Sequence, residues 1–282
     1  MVIYETKGGA DYGSFDSQDV AKGEKDQVYS RNIVFTKGQY QEPPEFAIGF
    51  DFLHADTAPG ENLRYLASID LHSDGNGFRA ISQAWNVATL ERARMTWVER
   101  KPSAKNTQFG VWETFLVKSG SSNSQRINFK VPFDVPPVIV LWLKKVDLRR
   151  GGGWKVGLYP MQIDNDGFVL HAETWGGGEV YAVKASWIAI KQGQRVIDSG
   201  RFAPPSTRGK EQPEKEQYVK FVPGRFSKPP TVITGLSTID LPDSKPAKIE
   251  SVVKNVTKDG FTWKLDHDSK FMNNAYFIAI PS

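Results

Sequence analysis

The sequence predicts an all-β protein made of three tandem six-stranded antiparallel β-sandwich domains. Two of the observations behind this prediction are a hydrophobic period of two inside the apolar segments and turn residues at short, regular intervals. The third is a series of markers that occurs three times in the same order. The first marker is a Pro-Pro pair that recurs at an interval of 93 residues, at Pro43-Pro44, Pro136-Pro137 and Pro229-Pro230.

Two further markers keep the same register. A Gly-Phe pair occurs at Gly77-Phe78, Gly167-Phe168 and Gly260-Phe261, and a terminal aromatic residue follows at Trp97, Trp187 and Phe277. Markers in a fixed order predict three domains with boundaries at 1–101, 102–194 and 195–282. Residues 101–105 and 192–194 are interpreted as short linkers, and short linkers favour packing of the three domains as an internal pseudo-trimer.

The strands are clearest in the second repeat. Residues 138–143 form an apolar run that follows a Pro-Pro pair, and prolines belong at a strand start because they block helix and cannot donate a ladder hydrogen bond. Residues 166–168 predict a turn, and residues 182–190 predict a strand that ends in an apolar run. The third repeat shows the same order at 231–236, 259–261 and 275–280. Trp97 and Trp187 end apolar strands and are therefore predicted to be core residues.

Composition excludes several classes of protein. The 282 residues are 39% hydrophobic and 12% aromatic, which is typical of a globular chain rather than a disordered one. The net charge of +4 does not call for nucleic acid as a partner, and no apolar run is long enough for membrane insertion. The absence of cysteine excludes disulfides, thiolate zinc sites and cysteine nucleophiles, and no cofactor is expected. The N-terminus lacks the pattern of a signal peptide, so a cytoplasmic or non-classically exported protein is expected.

The ordered motifs of the second repeat resemble those of the H-type lectin domain, the snail-agglutinin and discoidin C-terminal type. These motifs are Arg126-Ile127-Asn128-Phe129, Pro136-Pro137-Val138-Ile139, Asp147-Leu148, Gly167-Phe168, Trp175, Tyr181 and Trp187-Ile188-Ala189-Ile190. The third repeat shares Ser199-Gly200, Asp240-Leu241 and Phe277-Ile278-Ala279-Ile280, and the first shares Asn32-Ile33-Val34-Phe35, Asn62-Leu63-Arg64 and Trp85. The three resemblances together cover nearly the whole chain.

This resemblance implies a six-stranded β-sandwich, trimeric assembly, and shallow sites for galactose or N-acetylgalactosamine between neighbouring units. It implies a pocket built from a basic residue, a Trp-His pair and a Tyr, with an Asp and a Gly from the first loop of a neighbour. Each residue type has a physical role, because sugar rings pack their C–H faces on aromatic side chains while charged groups bind the hydroxyls. The expected partners are therefore glycans, bound by a monomeric pseudo-trimer or a low-order oligomer.

The family's pocket is carried over residue by residue. The first repeat offers Arg64 as the basic residue, Trp85 as the Trp, Asn86 in place of the His and Glu91 in place of the Tyr. Its first loop offers Asp16 and Asp19 as candidate acids.

The other two repeats keep different parts of the pocket. The second repeat offers Lys155, Trp175 and Tyr181, with Gly176 in place of the His. The third offers Lys248 and Phe271 but no Trp, and its last loop is shorter. The resemblance therefore favours working sugar sites in the first two repeats.

Several alternatives stay open on the sequence alone. A glycoside hydrolase could use two of the first repeat's acids, Asp51, Asp56, Glu61, Asp70 and Glu91, if two of them faced each other across a cleft. A structural or interaction scaffold with degenerate sugar sites is another. The patterns His54-x-Asp56 and His72-x-Asp74 could bind a divalent ion, although turn chemistry is the preferred explanation. Residues 151–153 and 176–178 could cradle phosphate but lack the following Lys and Ser or Thr of a P-loop.

Overall fold

The computed structural model describes residues 3–5, 12–20, 27–57, 60–85, 88–193, 197–202, 216–267 and 273–281. The first repeat contains β1 (Ile3–Glu5), β2 (Tyr12–Asp16), β3 (Val28–Val34), β4 (Glu45–Thr57), β5 (Leu63–Leu71), β6 (Gly77–Gln83) and β7 (Ala88–Arg100). The second contains β8 (Thr107–Lys118), β9 (Ser122–Asn128), β10 (Val138–Leu148), β11 (Trp154–Met161), β12 (Gly167–Glu173) and β13 (Glu179–Ile190). The third contains β14 (Asp198–Phe202), β15 (Glu216–Lys220), β16 (Thr231–Leu241), β17 (Ala247–Lys254), β18 (Gly260–His267) and β19 (Asn274–Ile280).

The strands begin where the sequence markers predict, and β10 and β16 extend five residues beyond the predicted apolar runs. β4, β10 and β16 each start at the residue directly after a Pro-Pro pair, and β6, β12 and β18 each start at the Gly of a Gly-Phe pair. Among the described residues the only helical element is one 3₁₀ turn, Ser17–Asp19, and no helix there is long and apolar enough to cross a membrane. The all-β prediction is confirmed.

Every sheet is built from two repeats. One sheet has the order β1-β3-β6-β5-β10-β13-β8, the second β14-β19-β16-β11-β12-β9, and the third β15-β18-β17-β4-β7-β2. Repeats one and two are joined through β5 and β10, two and three through β11 and β16, and three and one through β17 and β4. Because these three junctions close a ring, the repeats are arranged as an internal pseudo-trimer.

Each repeat contributes half of two sheets, and the two halves pack as a β-sandwich. The prediction of six antiparallel strands per repeat is confirmed with one addition, since β1 joins the first sheet in parallel with β3 and makes it seven-stranded. The domain boundaries at 1–101, 102–194 and 195–282 stay predictions.

The sequence markers pack against one another in each sandwich. The Phe of each Gly-Phe pair meets the terminal aromatic edge to face, with ring centroids 5.4 Å apart for Phe78 and Trp97 and 5.7 Å for Phe168 and Trp187. Phe261 and Phe277 repeat the contact at 5.0 Å. Trp97 and Trp187 are buried, which confirms their predicted place in the core. The repeated spacing therefore reflects one core contact formed three times.

The three repeats also meet along a pseudo-threefold axis, where β4, β10 and β16 contact one another. Gly49, Trp142 and Gly235 occupy equivalent positions on these strands, and a Cβ at either glycine would lie within 2.7 Å of Trp142. One indole thus fills the space that three equivalent residues share. Hydrogen bonds cross each junction in a ring, from Thr96 Oγ1 to the Thr234 carbonyl (2.9 Å), from Ile48 N to Ser186 Oγ (3.1 Å) and from Trp142 Nε1 to the Tyr276 carbonyl (3.4 Å).

Candidate functional site

The sheet junctions bring the predicted basic residues opposite residues of a neighbouring repeat. We name the junctions of repeats one and two, two and three, and three and one the first, second and third boundary. Cross-strand pairing places Arg64 opposite Asp147 at the first boundary, Lys155 opposite Asp240 at the second and Lys248 opposite His54 at the third. Directly opposed residues lie on the same face of a sheet. The first two boundaries therefore combine a cation from one repeat with a carboxylate from the next.

At the second boundary three side chains converge. The Trp175 indole Nε1 donates to Asp240 Oδ2 at 2.7 Å, and Lys155 Nζ donates to the Gly176 carbonyl at 3.2 Å. The Trp175 ring lies over Gly157, where a Cβ would come within 3.3 Å of the ring. The absence of a side chain at Gly157 thus lets the indole lie close to β11. Trp175 and Lys155 both stay partly exposed to solvent.

Asp240 is the buried member of this group. Burial raises the pKa of Asp240 above its usual value, and the hydrogen bond from Trp175 and the positive charge of Lys155 offset the rise only in part. Its backbone N–H donates to Asn273 Oδ1 at 2.7 Å, which fixes its strand against the segment before β19. Among the described residues Oδ1 of Asp240 is buried without a hydrogen-bond partner. The side-chain hydrogen bond that Asp240 accepts comes from Trp175, so the main effect of this carboxylate is to hold the indole in place.

The two glycine-rich loops of the second repeat pack beside this group. A Cβ at Gly152 would lie 2.1 Å from the Gly177 carbonyl oxygen, so the loops touch through their backbones. The N–H groups of Gly151 and Gly153 donate to Asp243 Oδ2 at 2.6 and 3.1 Å. Burial would raise the pKa of Asp243, but these backbone hydrogen bonds outweigh burial and lower it. In the 151–153 loop, two of the amides considered as a phosphate cradle therefore bind a carboxylate of the third repeat.

The first boundary has a similar arrangement. Arg64 Nε donates to Asp147 Oδ1 at 3.1 Å, and both side chains are mostly buried. Trp85 lies two residues after β6, whose last residue Gln83 pairs with Leu66, and Leu66 lies two residues after Arg64 on β5. Trp85 is partly exposed. Asn86, the predicted neighbour of Trp85 in the pocket, lies outside the described residues.

Three further predicted site residues lie outside the group at the second boundary. Tyr181 lies on β13 at the bulge opposite Asp147 and Leu148 of β10, on the sheet of the first boundary. It interacts with Arg149, whose Nη1 donates to Glu179 Oε2 at 2.6 Å. Asp16, on β2, accepts three hydrogen bonds of 2.7 to 3.1 Å from Arg92, and Asp19 binds Arg31 at 3.0 Å.

The sheet position of Asp16 decides which boundary it can serve. β2 belongs to the sheet that continues through β4 into β17, the strand that carries Lys248. Asp16 is therefore on the sheet of the third boundary rather than with Arg64 or Lys155. The turn that bears Asp19 follows it directly.

The third boundary lacks the carboxylate of the other two, because Lys248 faces His54, and Phe271 lies outside the described residues. A cavity of about 410 Å³ near this boundary is lined in part by Asp51, Arg94 and Glu250. Arg94 donates to Asp51 at 2.8 and 3.1 Å and to Glu250 at 3.3 Å. Burial raises the pKa of Asp51 to about 6 in spite of the charge and hydrogen bonds of Arg94.

The arrangement of charges bears on two alternatives from the sequence. Asp51, one of the acids considered for a hydrolase, and Glu250 both bind the guanidinium of Arg94, so both carboxylates of this cavity are engaged in an ion-pair network. Over the ranges that the structure describes, no group of three or more His, Asp or Glu side chains could hold a metal ion.

Sequence reasoning missed Asp147 and Asp240 as site residues. The signal that could have identified these two aspartates is the Asp-Leu pair, which is one of the motifs of the family resemblance. Their role was hidden because each aspartate pairs with a basic residue far away in the chain, 83 positions apart for Arg64 and Asp147. Only the sheet junction brings them together.

Comparison with known proteins finds a family match in two of the three repeats. The model of the H-type lectin domain matches residues 124–190 and 216–280. Solved structures that are similar include recombinant discoidin II of Dictyostelium discoideum, with 15% identity over 64% of this chain and 95% of that chain and a TM-score of 0.27. Wild-type discoidin II of Dictyostelium discoideum gives 16% identity over 64% and 94%, with a TM-score of 0.27. No curated protein matches the chain. The two matched segments lie in the second and third repeats and together cover a little under half of the chain.

Proposed function

We propose that the protein binds glycans ending in galactose or N-acetylgalactosamine at shallow sites on the first and second boundaries. The observation that carries this proposal is the convergence of Trp175 and Lys155 from one repeat with Asp240 from the next. The resemblance to H-type lectins supports the choice of sugar, because that family binds these sugars between neighbouring units.

Each side chain of the second boundary has a distinct role in this proposal. The exposed part of the Trp175 indole offers an apolar surface for the C–H face of a pyranose ring. Lys155 Nζ lies beside the Gly176 carbonyl and donates to a sugar hydroxyl with the help of its charge. Asp240 is a positioning residue, since its hydrogen bond to Nε1 fixes the plane of the indole. The ring is therefore held in place before the ligand arrives, which lowers the entropy cost of binding.

The first boundary supplies the same types of group in Arg64, Asp147 and Trp85. A single site of this kind binds weakly, because a monosaccharide offers few atoms and its hydroxyls must lose water. Two sites on one rigid ring raise the avidity for a multivalent glycan if both can reach it. The third boundary, where Lys248 faces His54, is not proposed as a working site.

Substitution at each boundary tests the proposal. Trp175→Ala and Trp85→Ala should each weaken binding by more than tenfold at their own boundary, because the stacking surface is lost, whereas Lys248→Ala should leave binding unchanged. Titration calorimetry with galactose and N-acetylgalactosamine measures the affinity, and a broad glycan array measures the preference. Circular dichroism checks that each variant is folded.

The variants of Asp240 separate positioning from charge. Asp240→Asn keeps an oxygen that can accept from Trp175 Nε1, so binding should fall only a few-fold, while Asp240→Leu should weaken it as much as Trp175→Ala. If all these variants bind like the parent, the boundary residues are not the site. If the array prefers mannose or glucose glycans, the galactose assignment is wrong, and a parent that binds no glycan would favour the scaffold alternative.

A further inference from the structure

A second cavity lies on the pseudo-threefold axis itself. It has a volume of about 230 Å³ and is lined by residues of all three repeats. Val98, Ile188 and Ile278 line it from equivalent positions, each one residue after the terminal aromatic of its repeat. Ile190 and Ile280 line it two residues further along the same strands. A cavity lined by the same position of each repeat must lie on the axis that relates the repeats. We call it the axis cavity.

The axis cavity is remote from the glycine-rich loops. The end of β7 lines the cavity. Glu45 pairs with Arg100, so the end of β7 lies beside the start of β4. The loops 151–153 follow the opposite ends of the axis strands, where Arg150 Nη1 donates to the Thr57 carbonyl at 3.1 Å. The 13 residues of β4 separate the two ends. At roughly 3.3 Å per residue this is about 40 Å, so a ligand in one place does not touch the other.

The accessible walls of the axis cavity are mostly apolar. Branched aliphatic side chains supply half of the lining residues, including Ile197 from the segment before β14. At the rim, Arg100 and Glu99 already have partners among the described residues, and Lys101 is exposed to solvent. Arg100 Nη1 donates to Glu45, and Glu99 accepts from Trp97 Nε1 at 3.0 Å and from the Tyr40 hydroxyl at 2.6 Å. A ligand of this cavity therefore gains by burying apolar surface rather than by pairing charge.

We infer that the axis cavity is a binding site for a small apolar molecule, of the size of a benzene ring with a short alkyl chain. Its volume is half as large again as the roughly 150 Å³ apolar cavity that is known to bind benzene. The axis cavity is partly open to solvent, and water inside it finds few hydrogen-bond partners on the aliphatic walls, so a ligand that displaces this water is favoured. The occupant enters space that offers dispersion contacts from three repeats at once. The site is independent of the proposed sugar sites.

A fluorescent probe tests this inference on the full chain. N-phenyl-1-naphthylamine should show a saturable rise in fluorescence with one site per chain, and butylbenzene should displace it. Ile280→Trp fills the cavity and Ile197→Ser makes its wall polar, so each should weaken binding at least tenfold. Val222→Trp places an indole at an exposed position of the same repeat, outside the cavity, and should stay within twofold of the parent.

The outcomes are distinct. Saturable binding that both cavity variants weaken and the Val222→Trp control keeps supports the site, and unchanged glycan binding in Ile280→Trp supports its independence from the boundaries. No fluorescence rise with the folded parent overturns the inference, as does equal binding by the parent and Ile197→Ser. Light scattering tests for one other occupant, a second copy of the chain. A parent dimer that Ile280→Trp dissociates would show that a second copy covers this end of the axis, which also overturns the inference.

Discussion

Replacing Trp142 by Ala should lower the free energy of unfolding by about 4 to 5 kcal/mol. The indole is fully buried on the pseudo-threefold axis, and burial of an aromatic side chain removes roughly 150–250 Å² from water. At about 25 cal/mol per Å² this amounts to about 4 to 6 kcal/mol, and Trp→Ala changes in cores cost about 3 to 5 kcal/mol. The hydrogen bond from Nε1 to the Tyr276 carbonyl is lost as well. Guanidinium denaturation followed by circular dichroism measures the loss.

A double variant tests whether the axis explains this cost. A Cβ at Gly235 would lie 2.5 Å from Cγ of Trp142, and one at Gly49 would lie 2.7 Å from its Cβ, so the space holds one large side chain. Moving the indole, with Trp142→Gly and Gly235→Trp together, should restore more than half of the stability that Trp142→Gly alone loses. Gly235→Trp alone should destabilise the protein because two indoles overlap.

Two results would refute this reasoning. A loss below about 1 kcal/mol in Trp142→Ala would mean that the axis is loosely packed. A double variant no more stable than Trp142→Gly would mean that the three positions are not equivalent in their surroundings.

Three further outcomes are expected. Trp187→Ala should cost about 3 to 5 kcal/mol, because its ring fills the space above Gly110, and a melting temperature that barely moves would contradict the core assignment. Small-angle scattering should give a radius of gyration near 19 Å, as for one compact body of this length, rather than the larger value of three separated domains. Burial raises the pKa of Asp51 to about 6 in the fold, above the 3.8 of an unperturbed aspartic acid, so Asp51 binds its proton more tightly when the protein is folded. The contribution of Asp51 to the free energy of unfolding should be most favourable below pH 4 and should fall by about 3 kcal/mol as the pH rises through 6. A comparison of the free energy of unfolding of the parent with that of Asp51→Asn at pH 4 and pH 7 measures this change. A difference between the two proteins that does not change with pH would contradict it.

The candidate site shows where prediction from sequence stops. Arg64, Lys155 and Trp175 could be found because family motifs place them at fixed distances from markers in their own repeat. Asp147 and Asp240 could not be assigned a role, because their partners belong to another repeat and no local pattern records which repeats adjoin. Asp16 illustrates the same limit, since its sheet leads to the third boundary rather than to either tryptophan.

The sequence by itself determined the local structure of this protein. Prolines that cannot extend a ladder set the starts of β4, β10 and β16, and glycines at Gly-Phe pairs start β6, β12 and β18. The alternation of apolar residues decided the strand faces, because side chains of a strand point to opposite sides in turn. The interval of 93 residues decided that there are three repeats. Each of these features depends on residues that are close in the chain.

The tertiary structure decided how the repeats share their sheets. Strand pairing uses backbone groups that every repeat offers alike, so the sequence does not state that β10 joins β5 of another repeat. The packing around one axis settles it, since Trp142 fits only where its two neighbours are Gly49 and Gly235. That closed ring is what places a carboxylate of one repeat opposite a cation of another, and so creates the boundary sites.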